Sequence, residues 1–383
     1  MTNALSPDVG SVIRHSRSVI LEAQQPSGAY PACESFFAYR GFCWFRDGSF
    51  SADAMSAIGE VESAEAFFDW CARVVLDRRS RIEAIVAAAR VGDPLPDSQM
   101  LPTRFRFDGS SVEDGWENFQ LDGYGTWVWA ATAHARRHHR SIDRWAGALR
   151  LTVDYLVSSW RRPCFDWWEE HTEAVHVSTL GCVQAGLASA ALSGVLDEVR
   201  RKSAQTVVRS IEDLIAAQGL APEEPAHLTK WIGSTVVDGS LSALIAPLGV
   251  VRPGSEVARG TVAAIESCLM AEGGVYRFRA DTFFGGGRWP LLTCFLGLAR
   301  LAQGDQKGAV ETLNWAVRQA KENGDVPEQV DGGLLLAPDR RDAWVDRWGD
   351  VACPLLWSHA MILRLGQELD AVGPALGIER GLS

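Results

Sequence analysis

Strand-like alternation of apolar and polar residues is nearly missing from this 383-residue chain, as are paired cysteines, a cationic excess and any long uncharged apolar run. Each absence excludes something. Without a period of two, no sandwich or barrel of strands is expected. The eight cysteines, at 33, 43, 71, 164, 182, 268, 294 and 353, lie far apart with no CxxC pair. That spacing argues against a disulfide framework or a cysteine zinc site and predicts reduced, buried thiols. A formal charge of −11, acids and bases interspersed, offers no cationic face to nucleic acid or an anionic membrane. No run approaches the roughly twenty apolar residues that cross a bilayer. The N-terminal MTNALSPDVGSVIRHSRSVILEAQQ lacks a continuous apolar core of signal-peptide length, so a cytoplasmic location is expected. No cofactor and no metal are expected.

The chain does have helix-period patterns and tryptophan. In the first pattern Val9, Val12, Ile13, Ser16, Val19, Ile20 and Ala23 form one face. Twelve such segments are predicted, at about 7–25, 48–59, 61–91, 122–139, 142–161, 176–193, 194–219, 234–247, 255–271, 289–304, 305–323 and 352–371. They suggest six helical hairpins in one domain, 1–383. Links from an even helix to the next odd one are mostly tight, whereas odd-to-even links are long. If successive helices run antiparallel, all the long loops emerge at one end and converge over a pocket.

Those loops carry many of the fifteen tryptophans, among them Trp116, Trp167, Trp168, Trp231, Trp289, Trp344 and Trp348. Indole faces stack on the apolar faces of sugar rings and leave an N–H for a hydroxyl, although core filling is the commoner use of any one tryptophan. The loop CFDWWEEHTE sets Glu169 and Glu170 against Trp167 and Trp168. Acidic residues at a helix start complement the exposed N–H groups, so this pair has an ordinary structural reading as well. Opposite it, in the final long loop, stands Glu328 between Pro327 and Gln329. Two carboxylates from different loops facing one cavity are what glycoside hydrolysis needs, one to protonate the departing oxygen and one to activate water. The indoles and the neighbouring acids Glu170 and Asp166 favour a protonated Glu169, the acid; Glu328, in what reads as a more polar setting, suits the base. Arg46–Asp47 and the group Arg277, Arg279, Asp281 supply charged partners for hydroxyls, or else structural salt bridges.

Taken in order, YRGFCWFRDG, GWENFQLDGYG, FDWWEE, YRFRADTFFGGGRW, GDVPEQVD and PLLWSHA resemble glycoside hydrolase family 15, the glucoamylase family, between about residues 39 and 363. The resemblance implies an all-α (α/α)6 barrel and inverting, exo-acting release of glucose from non-reducing ends. It implies Glu169 as general acid, Glu328 as general base, and Arg46 and Asp47 as holders of the terminal glucose. Arg277 matches an arginine of the ninth-to-tenth helix loop. Trp116 matches an aromatic bordering the cleaved bond, Glu170 a carboxylate near the leaving-group sugar, and Asp166, Trp289 and Trp357 pocket-lining positions. Trp168 and Trp231 complete the expected binding set. The family's water-positioning tyrosine has three neighbouring candidate positions here, Tyr39, Arg40 and Phe42.

In contrast to larger members, no N-terminal β-sandwich and no starch-binding module are expected. A small neutral oligosaccharide is the expected partner, with glucose as product. Among the family's activities short α-1,6-glucosides are expected, isomaltose first, with α-1,4 and α-1,1 glucosides as alternatives. Two other readings remain open: an inverting disaccharide phosphorylase, which would need no protein base, and a sugar-binding protein, which would keep the tryptophans and hydroxyl-holding charges without needing both glutamates.

Overall fold

In the computed structural model residues 8–372 are described, apart from 113–115, 117, 118 and 223. The α-helices are α1 (Asp8–Ala23), α2 (Phe45–Ala57), α3 (Val61–Asp77), α4 (Arg79–Arg90), α5 (Asp122–Arg137), α6 (Ala146–Ser159), α7 (Val177–Leu192), α8 (Glu198–Gln218), α9 (Glu256–Leu269), α10 (Pro290–Ala302), α11 (Gln306–Val317), α12 (Arg341–Trp348) and α13 (Leu356–Val372). A 3-10 helix, Gly239–Leu244, stands between α8 and α9. The helices α2, α5, α7, the 3-10 helix, α10 and α13 pack one against the next, and α13 closes onto α2. Around this ring α3 packs on α2, α8 on α7, α9 on the 3-10 helix, α11 on α10 and α1 on α13, while α6 fits between α3 and α8. The result is the expected (α/α)6 barrel.

Pattern explains most of this. The apolar stripe of α1 buries Val9, Val12, Ile13 and Ile20, and the inner helix α10, apolar nearly all round, is buried from Pro290 to Ala299. Where α5 crosses α7 the backbones nearly touch. A Cβ on Gly125 would lie 2.3 Å from the Cys182 carbonyl oxygen, so only glycine fits there.

The structure corrects five expectations. The segment 61–91 is two helices, broken at Arg78, whose guanidinium donates to the Val74 and Gly109 carbonyls. The eighth segment is a six-residue 3-10 helix, ended within a few residues by Pro247, which cannot supply a helical N–H. The second helix starts at Phe45, which puts Arg46 and Asp47 in its first turn rather than in a loop. The final long loop contains α12, which had no counterpart among the predicted helices. Of the cysteines, all free, Cys353 is half-buried and Cys268 exposed, contrary to the expectation of burial; the other six are buried.

Five short strands stiffen the long loops. Strand β1 (Phe42–Trp44) pairs antiparallel with β2 (Arg104–Arg106), and β4 (Gly274–Tyr276) pairs on either side with β3 (Met270–Ala271) and β5 (Arg288–Trp289). An aromatic plug fills the barrel below these loops: Phe50 of α2 stacks on Trp357 of α13 at 5.4 Å and meets Phe295 of α10 at 5.1 Å and Trp167 at 5.6 Å. Among the described residues no helix is long and apolar enough to cross a membrane.

Candidate active site

Above the plug lies a cavity of about 660 Å³, within the range of small-ligand sites. Five of the six long loops reach it, through Tyr39, Trp116, Trp168, Arg277 and Glu328 among other residues. The fourth, between α8 and the 3-10 helix, contributes no lining residue. Expected site residues Arg46, Asp47, Trp116, Trp168, Glu169, Glu170, Arg277, Trp289, Glu328 and Trp357 all line the cavity. Asp166 and Trp231 do not. Trp231 packs on His171 at 5.0 Å and His176 at 6.3 Å behind the cavity wall. Asp166 lies buried beneath the third loop, 2% exposed.

That loop is wound tightly around Asp166. Its Oδ1 accepts the backbone N–H groups of Trp168 and Glu170, each at 2.9 Å. The Asp166 N–H donates to the Glu170 carbonyl, and the Glu169 N–H to the Asp166 carbonyl. The turn holds Glu169 at φ +63°, a left-handed conformation that costs a residue with a Cβ on the order of 1–3 kcal/mol. The strained residue is the one whose carboxyl enters the cavity.

The Glu169 carboxyl is met by indole N–H groups rather than by the faces of Trp167 and Trp168. Trp44 Nε1 donates to Oε1 at 2.5 Å, Gln120 Nε2 to the same oxygen at 3.2 Å, and Trp116 Nε1 to Oε2 at 2.6 Å. Three donors from two further loops fix both oxygens.

Glu328 sits across the cavity, 3% exposed, its backbone N–H bonded to the Ala352 carbonyl. The phenol of Tyr39 donates to Oε1 at 2.9 Å, while Oε2 has no hydrogen-bond partner in the protein. Tyr39 thus stands out among the three candidates for a tyrosine role. Arg40 points outward, bonded to the Glu34 carbonyl, and Phe42 lies in β1 under the Arg104 guanidinium at 4.4 Å. Burial pushes the Glu328 carboxyl up to about 8, against the pull of the Tyr39 hydroxyl and of Arg277. Its setting is therefore drier than the sequence suggested. Burial and the neighbouring Glu328 keep the Tyr39 phenol well above its ordinary range, hence protonated and a donor.

On the cavity floor Arg46 Nη1 donates to Gln120 at 2.5 Å and to Asp122 at 3.2 Å, and its guanidinium lies 5.4 Å from the Trp357 ring. Arg46 Nε and Asp47 Oδ1, 3.4 Å apart, are both buried without a hydrogen bond. A donor and an acceptor side by side match a pair of adjacent hydroxyls. Burial raises Asp47 to about 6, partly offset by Arg46. Arg277 is held by Asp281 and reaches Glu170 at 3.1 Å. Its guanidinium lies 5.3 Å from the Trp168 ring and 5.4 Å from Trp289.

Sequence reasoning missed several lining residues. Trp44 and Phe283 had no role assigned; Trp344 and Trp348 were noted only as loop tryptophans, yet α12 brings both to the cavity mouth. Trp344 packs edge-on to Phe283 at 5.0 Å, and Trp348 stacks on the exposed Phe37 at 6.3 Å. Among the described residues no group of three or more His, Cys, Asp or Glu is arranged to hold a metal ion.

A helical barrel whose loops present two carboxyl groups to one aromatic pocket, with paired charges free to bind hydroxyls, defines a glycoside hydrolase. Comparison with known proteins then places it: residues 9–322 match the model of glycosyl hydrolases family 15, and the chain belongs to that family. It is 47% identical over 363 residues to an isomaltose glucohydrolase of Kribbella flavida, covering 94% of this chain and 93% of that protein. A solved wild-type glycosidase, 46% identical, superposes with a TM-score of 0.91 over 94% of this chain and 97% of its own. A variant of a glycosidase solved in complex with glucose is 45% identical, with the same TM-score of 0.91 over the same shares of the two chains. The glucoamylase of Hormoconis resinae, 15% identical with a TM-score of 0.65 over 97% of this chain and 76% of its own, shares the fold.

Proposed function

We propose that this glycoside hydrolase releases β-glucose from the non-reducing end of short α-1,6-glucosides, isomaltose above all, by direct displacement. The terminal glucose rests on Trp357, its distal hydroxyls taken by Arg46 Nε and Asp47 Oδ1. Glu169 gives its proton to the glycosidic oxygen. Among the described residues Oε1 takes two donors and Oε2 only Trp116, which favours Oε2 as the proton carrier. Glu328 accepts a proton from the attacking water through Oε2, with Tyr39 fixing the other oxygen. Attack opposite the departing oxygen inverts an α-linkage to β-glucose. Trp168, Glu170, Arg277 and Trp289 flank the leaving-group sugar, and α12 walls off the space beyond it.

The observation carrying this reading is the free Oε2 of a buried Glu328 facing the same cavity as Glu169. The preference for the 1,6-linkage rests on the 47% identity to the isomaltose-cleaving relative. Specificity constants on isomaltose, maltose, trehalose and isomaltotriose, compared side by side, test it. A tenfold preference for maltose or trehalose would overturn the linkage and leave the catalytic pair standing.

A further inference from the structure

The loop between α8 and the 3-10 helix does not reach the cavity, yet it sends one cation under the cavity wall. Lys230 is 2% exposed, and its ammonium donates to Asp166 Oδ2 at 2.7 Å and Asp238 Oδ2 at 2.5 Å. The Phe278 ring covers it at 4.1 Å. Its backbone is zipped to neighbouring segments, the carbonyl accepting from the Val177 N–H and the N–H donating to the Val236 carbonyl. Asp238 in turn caps the 3-10 helix through the Ser240 N–H and accepts the Trp168 indole N–H at 2.9 Å.

We infer that Lys230 is a positioning residue for the proton donor. By holding Asp166 Oδ2, it fixes the carboxylate so that Oδ1 receives both the Trp168 and Glu170 N–H groups. Those two bonds close the turn that keeps Glu169 at φ +63°. Without the cation, two buried carboxylates face each other across the gap, and at least one must turn away or take up a proton. The Asp166 clamp then loosens, and the acid leaves its aligned geometry. A buried charge cluster is poor evidence for stability alone, since apolar replacements often match it. What this cluster adds is the orientation of one carboxylate.

The inference rests on Glu169 being the acid, and the experiment separates the two. Kinetics of Lys230→Met on isomaltose are compared with those on α-glucosyl fluoride, whose leaving group departs without a proton donor. A misplaced acid should lower kcat on isomaltose by about 10²-fold, the cost of roughly an ångström of misplacement, and change the fluoride rate no more than about threefold. Equal losses on both substrates, or no loss, would overturn the proposal. If Lys230→Met does not fold, Lys230→Gln, which removes the charge and keeps a neutral donor, replaces it, and a selective loss on isomaltose is again expected; equal losses or none again overturn it. Glu169→Gln is the control. Should it slow both substrates alike, the reading of Glu169 as acid fails, whatever Lys230 does.

Discussion

The hydroxyl of Tyr39 donates to Glu328 Oε1 at 2.9 Å, and the Tyr39 ring meets the Trp44 indole edge-on at 5.4 Å, the same indole that donates to Glu169. One short segment, 39–44, thus touches both carboxyl groups. The phenol stabilises the ionised form of Glu328, opposing the burial that pushes it to about 8. Removing the hydroxyl with Tyr39→Phe raises that pKa further and leaves less carboxylate at any given pH. The acidic limb of the kcat/KM profile should move to higher pH. A hydrogen bond to a charged group contributes about 1.5–3 kcal/mol, so kcat should fall roughly 10- to 100-fold. An unshifted limb would remove Tyr39 from the base's environment.

Each glutamate proposed as catalytic has a separate test. Glu169→Gln and Glu328→Gln keep shape and lose the proton chemistry, so turnover on isomaltose should drop by about 10²- to 10⁴-fold, with circular dichroism unchanged. Early-time NMR of the parent enzyme's product should show β-glucose first. If the α-anomer appeared first, Glu328 would be recast as a nucleophile.

Glu328 should also weigh on stability. Its folded-state pKa, pushed up to about 8, exceeds the ordinary value of 4.5. Between those pH values the unfolded chain has released the proton and the folded one retains it, so stability falls as pH rises through the window. Below it both states are protonated and the contribution vanishes. Glu328→Gln should therefore raise Tm relative to the parent by roughly 2 °C or more at pH 8, with the gap closing toward pH 4.5. Calorimetry at both pH values decides this; a constant gap would assign it to something other than ionisation.

The barrel was legible because ten of its inner and outer helices carry unbroken apolar faces, and because short links alternate with long loops. Glu169 and Glu328 were legible as acids beside tryptophan or proline in two different long loops. What escaped the sequence depended on side-chain reach. The break at Arg78 has no glycine or proline to announce it; an arginine bonding two carbonyls makes it. The resemblance implied a pocket-lining position for Asp166, but its carboxylate turns inward to Lys230, which lies 64 positions away. Glu328 looked polar because its sequence neighbours are polar, whereas the surroundings that bury it, Tyr39 and the aromatic wall, come from other loops. Helix α12 is short and partly exposed, so its pattern is faint, and its packing partners Phe283 and Phe284 belong to a different loop.

That helix motivates the last prediction. Trp344 packs on Phe283 and Phe284, and Trp348 on Phe37, so the final loop is pinned to two others by aromatic contacts at 5.0–6.3 Å. Both tryptophans line the cavity. In the proposed binding mode a disaccharide sets one sugar on the Trp357 floor and one beside Trp168 and Trp289, whose rings pack on each other at 5.3 Å, and a third sugar would have to pass α12. Aromatic contacts of this kind contribute about 0.5–1.5 kcal/mol each, enough to keep a wall standing against the weak gain from one more sugar. Both tryptophans are half-buried, but Trp348 packs on the exposed Phe37 and Trp344 on Phe283 and the buried Phe284, so Trp348→Ala should open the mouth with the smaller loss of stability. For Trp348→Ala, kcat/KM on isomaltotriose relative to isomaltose should rise by about fivefold or more, a difference of roughly 1 kcal/mol in transition-state binding. Isomaltose turnover should change little, because the floor and both glutamates are untouched. If both sugars lost activity in proportion, α12 would be supporting the pocket rather than limiting its length. If the ratio stayed constant with activity intact, the chain-length limit would lie elsewhere, in the loop that carries Phe283.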